Sequence, residues 1–135
     1  MLYVSLKHPY EFNVINAELK NIYKSVEGKN HYYGVIIIKD PEILYSLNEY
    51  LQKHKPSGIL KNIDQYVRFK FPTHYNKPKY IARKANGMPT VAQTMCEELS
   101  NKSMNVNVKL KVEGYVKNLS EIHTVIQCVD IREIA

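Results

Sequence analysis

The sequence lacks the features that mark membrane and disulfide-stabilised secreted proteins. Its 135 residues contain no apolar run near the roughly 20 residues of a membrane span, and the first residues lack the pattern of a signal peptide. There are only two cysteines, Cys96 and Cys128, far apart and without CxxC spacing. Both lie in apolar patterns, so we expect buried thiols in a protein of a reducing compartment, the cytoplasm, with no membrane partner.

Motifs for catalysis, cofactors and metals are also missing. The sequence contains neither GxxxxGK[ST] nor GxGxxG, so no phosphate-binding loop is indicated. None of the five histidines pairs with Cys, Asp or Glu at a metal-ligand spacing. The adjacent Glu97 and Glu98 do not share a helical face and are typical of solvated positions. We therefore expect no enzyme activity, no cofactor and no metal.

Acidic residues are absent from a long central stretch. No Asp or Glu occurs between Asp64 and Glu97, and the segment YVRFKFPTHYNKPKYIARK (66–84) holds six Lys or Arg and five aromatic residues. The whole chain has a formal charge of +6, which favours an anionic partner. The chain has eleven Tyr and no Trp, and its frequent Lys, Asn and Ile are expected from an A·T-rich genome. Part of the tyrosine enrichment therefore needs no functional explanation.

The length fits one domain, residues 1–135, and the apolar pattern predicts mostly strands. Strands are predicted at 12–20 and 31–38, around a turn at VEGK (26–29), and again at 105–112 and 122–131, around a turn at 117–120. Gly114 indicates a bulge or bend in the second of these hairpins. A further strand, 66–71, is ended by Pro72, and a loop at 73–79 leads to a short strand at 80–83.

Two helices are predicted between the strands. Asp40 suits a helix N-cap and Pro41 the first helical position, and KPSG (55–58) ends that helix. The second helix is predicted at 90–100. The order of elements predicts a mainly β fold, a β-barrel of OB-fold-like Greek-key character with one or two short inserted α-helices.

The acid-free stretch combines the two residue types that bind single-stranded nucleic acid. Cations neutralise phosphates, and exposed aromatic rings stack on bases of any sequence. Alternation assigns Phe69 and Phe71 to the core and leaves Tyr66, Tyr75 and Tyr80 as stacking candidates. One of Tyr32 and Tyr33 must point inward, which leaves the other, taken here as Tyr33, free to stack. The candidate cations of the stretch are Arg68, Lys70, Lys77, Lys79, Arg83 and Lys84.

Three segments resemble the phage-type single-stranded DNA-binding proteins of the T-odd podophage class and their viral relatives. They are KPKYIARKANGMPTVAQTMCEEL (77–99), VNVKLKVEGYV (106–116) and HTVIQCVDIREI (123–134). KNIDQYVRFKFP (61–72) matches the strand before their long connection, and the hairpin at 17–38 fits their first two strands. Such proteins usually end in an acidic tail, whereas this sequence ends at VDIREIA (129–135), which implies a different way of recruiting partners or a place in a larger assembly.

The resemblance implies an OB-fold that coats single-stranded DNA during replication or recombination of a virus or mobile element. The implied compartment is the host cytoplasm, and the implied partners are single-stranded DNA and replication proteins. The position of the segments implies a groove lined by Tyr66, Arg68, Lys70, Lys77, Lys79, Tyr80, Arg83 and Lys84, and extended by Lys109 and Lys111.

Two other functions stay open at the level of sequence. A virion component or regulatory subunit would use the basic face to bind an acidic protein. A metal-independent ribonuclease would need two histidines such as His31 and His123 near each other. The sequence also leaves DNA and RNA undistinguished, and it leaves open a homo-oligomer formed through the strand at 105–116.

Overall fold

A computed structural model describes residues 2–25, 31–100 and 102–134. Within these ranges the chain forms nine strands and two helices. Their bounds, in chain order, are β1 (Leu2–Lys24), β2 (Tyr32–Ile37), α1 (Pro41–His54), β3 (Ile59–Leu60), β4 (Tyr66–Phe71), β5 (Thr73–His74), β6 (Lys77–Pro78), β7 (Ile81–Arg83), α2 (Ala92–Leu99), β8 (Met104–Asn118) and β9 (Glu121–Glu133).

The five longest strands close into a ring. β1 pairs with β2 on one side and with β8 on the other, β2 pairs with β4, and β8 pairs with β9. The ring closes where β4 meets β9 in parallel, at the pair Lys70 and Gln127. All its other pairings are antiparallel. The prediction of a mainly β fold with short inserted helices is confirmed.

Both predicted hairpins are present. β1 reaches β2 at the pair of Lys24 with Tyr32, while the turn predicted at 26–29 lies outside the described residues. The bulge predicted at Gly114 is confirmed by a register shift between Val112 and Gly114 in the pairing of β8 with β9. A Cβ at Gly114 would collide with the carbonyl oxygen of Val4, so only glycine allows β1 to approach β8 this closely.

β8 has a neighbouring strand on each side, since it pairs with β1 and with β9 along most of its length. Its backbone hydrogen-bonding groups are thus already used inside the ring. The expectation that the strand at 105–116 could join two copies of the chain through a free edge is therefore wrong. Sequence alternation identified this strand correctly, but alternation does not show how many neighbours a strand has.

The segment predicted as a loop at 73–79 forms a small hairpin instead. β5 and β6 pair antiparallel through Thr73 with Pro78 and His74 with Lys77. The turn between them is Tyr75–Asn76. Their φ angles of 51° and 63° are both positive, as in the two-residue type I′ turns that are common in β-hairpins. β7 follows and runs parallel to β9.

The two helices pack on the ring through apolar side chains and backbone contacts. The Asp40 side chain accepts a hydrogen bond from the Glu42 amide, as the predicted N-cap requires. The buried Leu47 and Leu51 anchor α1, and the hydroxyl of the fully buried Tyr115 donates to the Leu51 carbonyl at 2.9 Å. α2 is shorter than predicted and packs beside β1, where the Cys96 thiol donates to the Ile22 carbonyl at 3.1 Å.

The inward side chains of the strands form one hydrophobic core. Phe69 and Phe71 are buried there, as their alternation predicted. Cys128 is also buried, and burial raises the pKa of its thiol well above the usual value. Cys96 is half-buried, and both cysteines are free thiols.

Candidate nucleic-acid interface

The outer face of β4 carries the first part of the predicted interface. Val67, Phe69 and Phe71 are buried. The residues that alternate with them point away from the core, and these are Tyr66, Arg68 and Lys70. On the neighbouring strand β2, Tyr33 lies opposite Lys70. Strand alternation and cross-strand register thus place two aromatic residues and two cations on one patch of sheet.

The two consecutive tyrosines of β2 divide as expected. Tyr32 packs against the core, whereas Tyr33 lies on the outer face and stacks on Tyr23 of β1, with ring centres 5.7 Å apart and planes 21° apart. The Arg68 guanidinium carbon lies 4.8 Å from the centre of the Tyr33 ring, and Arg68 Nη1 donates to the Tyr23 hydroxyl at 3.4 Å. We call these three residues the Tyr23–Tyr33–Arg68 cluster.

Sequence reasoning missed Tyr23. The strand predicted at 12–20 ended before it, and the register of β1 against β2 shifts between Leu19 and Asn21. That shift interrupts the alternation of inward and outward side chains. Alternation counted from Phe12 therefore does not show on which face of the sheet Tyr23 lies. The signal that could have found it is the hairpin itself, since Tyr23 pairs directly with Tyr33.

The β5–β6 hairpin continues the interface from the end of β4. The Lys79 amide donates to the Pro72 carbonyl at 2.8 Å, which ties the base of the hairpin to the end of that strand. Tyr75 stands at the tip with 87% of its surface exposed and touches only the edge of His74 among the ring contacts of the described residues. A bulky residue with positive φ is uncommon, and here it belongs to the tight turn of the hairpin. The exposed Lys77 and Lys79 flank this tip.

Tyr80 has another role than the predicted one. Its ring meets the edge of Phe71 at 5.0 Å between centres, and its hydroxyl accepts a hydrogen bond from the Ala92 amide at 2.9 Å. Burial raises the pKa of this hydroxyl. Tyr80 therefore satisfies an amide at the start of α2, and a half-buried ring in this packing is not the free stacking platform expected from the sequence.

The remaining predicted cations come from β7, β8 and the residue after β7, and Arg83, Lys84 and Lys111 have hydrogen-bond or ion-pair partners. Arg83 Nη1 donates to the Gly87 carbonyl at 3.0 Å. The Lys84 ammonium pairs with Glu98 at 2.8 Å, which raises the pKa of Lys84, and Lys111 pairs with Glu113 at 2.8 Å. Lys109 lies opposite Asp130 in β9. Acidic partners thus offset the charges of Lys84 and Lys111. Lys111 also lies opposite Gln127, the partner of Lys70, so it is one strand away from the outer face of β4.

The histidines of the ribonuclease alternative do not come together. His31 precedes Tyr32, which pairs with Phe71 at the end of β4. His123 lies four residues before Gln127, the partner of Lys70, and is therefore level with the start of β4. At about 3.3 Å per residue, the two side chains are about 20 Å apart along the strand direction. The described part of the chain also has no group of three His, Cys, Asp or Glu able to hold a metal ion.

Comparisons of the chain with protein-family models, with curated proteins and with solved structures found no match. Neither helix in the described ranges is long and apolar enough to cross a membrane. The case for a function therefore depends on the chemistry of the interface itself.

Proposed function

We propose that this chain is a non-catalytic protein that binds single-stranded DNA with little sequence preference. The observation that carries the proposal is the Tyr23–Tyr33–Arg68 cluster beside Lys70. Arg68 is exposed and rests on the half-buried rings of Tyr33 and Tyr23, so the cluster offers a guanidinium plane supported by aromatic rings, on which bases of any sequence can stack. A duplex hides the faces of its bases in the stack, so such planes favour a single strand.

The strand order of the ring supports this proposal. Taken around the ring, the order is β1, β2, β4, β9, β8, with a parallel contact between β4 and β9. We interpret this as the order of an OB-fold in which β2 and β4 are the second and third strands. Proteins with that fold bind oligonucleotides on the face of these two strands, and the cluster lies on the corresponding face here.

The charges beside the cluster also fit a nucleic-acid backbone. Across the described ranges, Lys70, Lys77 and Lys79 take part in none of the ion pairs. Free cations of this kind release counterions when they neutralise phosphates. β4 alone spans about 20 Å, and with the hairpin it offers a track for several nucleotides, in the range of roughly 4–16 for one OB-fold.

The test is fluorescence anisotropy with a labelled oligo(dT), its duplex and an RNA of equal length at several salt concentrations. We expect the single strand to bind more tightly than the duplex, with an affinity that falls steeply as salt rises. Comparable weak binding of all three probes would contradict the proposal and favour a basic face that binds an acidic protein. The RNA arm decides between DNA and RNA as the preferred strand.

A matched pair of double variants locates the interface. Arg68→Ala with Lys70→Ala removes two charges from the outer face of β4. Lys84→Ala with Lys111→Ala removes the same charge from residues that already have acidic partners. We expect the first pair to weaken binding far more than the second and to reduce the salt dependence. Equal losses from both pairs would mean that net charge alone drives binding.

A further inference from the structure

A cleft opens at the start of β4, next to the proposed interface. In the described chain β4 and β9 pair only at Lys70 with Gln127, so towards Tyr66 the two strands diverge. The space between them has a volume of about 740 Å³. Pockets that bind small organic molecules typically measure about 300–1,000 Å³, so a single nucleotide unit fits in terms of size.

The cleft is apolar inside and nearly neutral at its rim. Its inner surface is formed by Val67, Ile122 and Ile126, which are at most 5% exposed, and by a wall of Ile59, Leu60 and Ile63. The charged rim residues balance, because Lys61 and Arg68 are offset by Asp64 and Glu121. A site for phosphate would need an excess of cations, whereas an apolar and neutral cleft suits the flat face of a base.

Helix α1 holds the wall of the cleft in place. The Asn48 side chain donates to the Ile63 carbonyl at 2.8 Å and accepts from the Ile63 amide at 2.6 Å. Gln52 Nε2 donates to the Leu60 carbonyl at 2.7 Å, and the Ile59 amide donates to the Ser120 carbonyl at 2.7 Å. The cleft is thus formed before any ligand arrives, so binding needs little further ordering of this segment.

We infer that this cleft receives one unstacked base of the strand bound to β4. This inference builds on the proposed function and adds a second kind of contact to it. Tyr66 is 53% exposed and lies with Arg68 at the edge shared by the cleft and the outer face. A nucleic-acid strand whose phosphates contact Arg68 and Lys70 has its last nucleotide along β4 at this edge. The base of that nucleotide can turn into the cleft.

The experiment pairs an abasic scan with a variant that fills the cleft. The probe is the shortest oligo(dT) that binds with full affinity, so that it has one binding register, with one base removed at each position in turn. Thr124 lines the cleft and is half-exposed, so Thr124→Phe fills the space, while Thr124→Val keeps the size of the side chain. We expect Thr124→Phe to lower affinity about tenfold, within the loss that one base contact gives, and Thr124→Val to bind as the wild type does.

The decisive result is coupling at a single position. At the position whose base enters the cleft, base removal should cost about tenfold in the wild type and almost nothing in Thr124→Phe. At every other position the two changes should add. Additive losses at all positions, with binding still dependent on Arg68, would overturn the cleft inference and leave the proposed function intact. Failure of the wild type to bind the single strand would overturn the proposed function as well.

Circular dichroism checks that the filled variant is folded. If Thr124→Phe does not fold, Ser120→Trp takes its place. Ser120 also lines the cleft, its side chain is exposed, and its contact with Ile59 is made by its backbone carbonyl. The same coupling is expected from that variant, and its absence would count equally against the inference.

Discussion

The guanidinium of Arg68 lies over the ring of Tyr33, with its central carbon 4.8 Å from the ring centre. The same guanidinium also reaches the hydroxyl of Tyr23, so a long flexible side chain is held in one place by two neighbouring strands. A planar cation held in this way can stack on a base and contact a phosphate with little further loss of side-chain entropy. Because Arg68 carries both a charge and a planar group, its substitutions can distinguish the contribution of charge from that of stacking at the proposed interface.

Arg68→Lys should show how much of the affinity comes from stacking and how much from charge. Lysine keeps the charge but has no planar group to stack, so we expect affinity for oligo(dT) to fall about three- to tenfold with little change in the salt dependence. Arg68→Ala should lower both the affinity and the salt slope, the latter by about one unit. Anisotropy titrations at several salt concentrations measure both quantities. If Arg68→Lys matches the wild type, Arg68 acts only as a point charge.

Replacement of Tyr33 by leucine should weaken binding to oligo(dT), oligo(dC) and oligo(dA) by similar factors. The loss of one stacking ring costs about 1–3 kcal/mol, which is about 5- to 150-fold in affinity. Tyr23→Leu should have the same kind of effect, since its ring stacks on Tyr33. The matched control is Tyr45→Leu, because Tyr45 is 70% exposed on α1, away from the cluster. A loss confined to one base type would mean that Tyr33 contacts base edges instead of base faces.

The parts of the fold that follow from local chemistry could be predicted from the sequence. The strand Tyr66–Phe71 follows from strict alternation, and the start of α1 follows from the cap formed by Asp40 before Pro41. The cluster could not be predicted in full, because Tyr23 comes after a register shift that no local pattern shows. The cleft depends on where β4 and β9 separate, and these strands are far apart in sequence, since β4 ends at Phe71 and β9 begins at Glu121.

Tyr80 shows that the sequence can also assign a side chain to the site wrongly. Its place among lysines and prolines suggested an exposed ring, but its hydroxyl accepts from the amide of Ala92, twelve residues later. Residue type and neighbours in sequence do not reveal such a partner. The site could therefore be predicted as a region of the chain, while the assignment of individual side chains needed the structure.

Tyr80→Phe should lower stability without affecting DNA binding. The substitution keeps the ring against Phe71 but leaves the Ala92 amide without its acceptor at the start of α2, where Val91 offers no side-chain cap. The loss should be about 1 kcal/mol of unfolding free energy, as for a missing helix cap. Chemical denaturation measures the stability, and anisotropy measures the binding. A marked loss of affinity with unchanged stability would return Tyr80 to the interface.

Gly34→Ala should destabilise the ring beneath the interface. A Cβ at this position would lie 2.5 Å from the Cζ atom of the buried Phe69 ring, so the ring would have to move. Overpacking of this kind typically costs about 1–3 kcal/mol. The double variant Gly34→Ala with Phe69→Leu should lose less than the two single losses added together, because the smaller side chain makes room for the new methyl group. Strictly additive losses in denaturation would show that the clash is not the cause.

Tyr115→Phe should change how stability depends on alkaline pH. Burial raises the pKa of Tyr115 to about 12, from an ordinary value of 10.0, because the folded core disfavours the charged phenolate. The stabilising effect of this shift is fully present below pH 10, and it is lost as the pH rises from 10 towards 12.

At pH 7 the variant should lose about 1–3 kcal/mol of unfolding free energy, since the Leu51 carbonyl loses its donor. Between pH 10 and 12, however, its unfolding free energy should fall less steeply than that of the wild type. The control is Tyr45→Phe, which removes an exposed hydroxyl outside the core and should leave stability at pH 7 unchanged. Parallel stability curves for the wild type and Tyr115→Phe above pH 10 would contradict the shift, and urea denaturation at several pH values distinguishes the two outcomes.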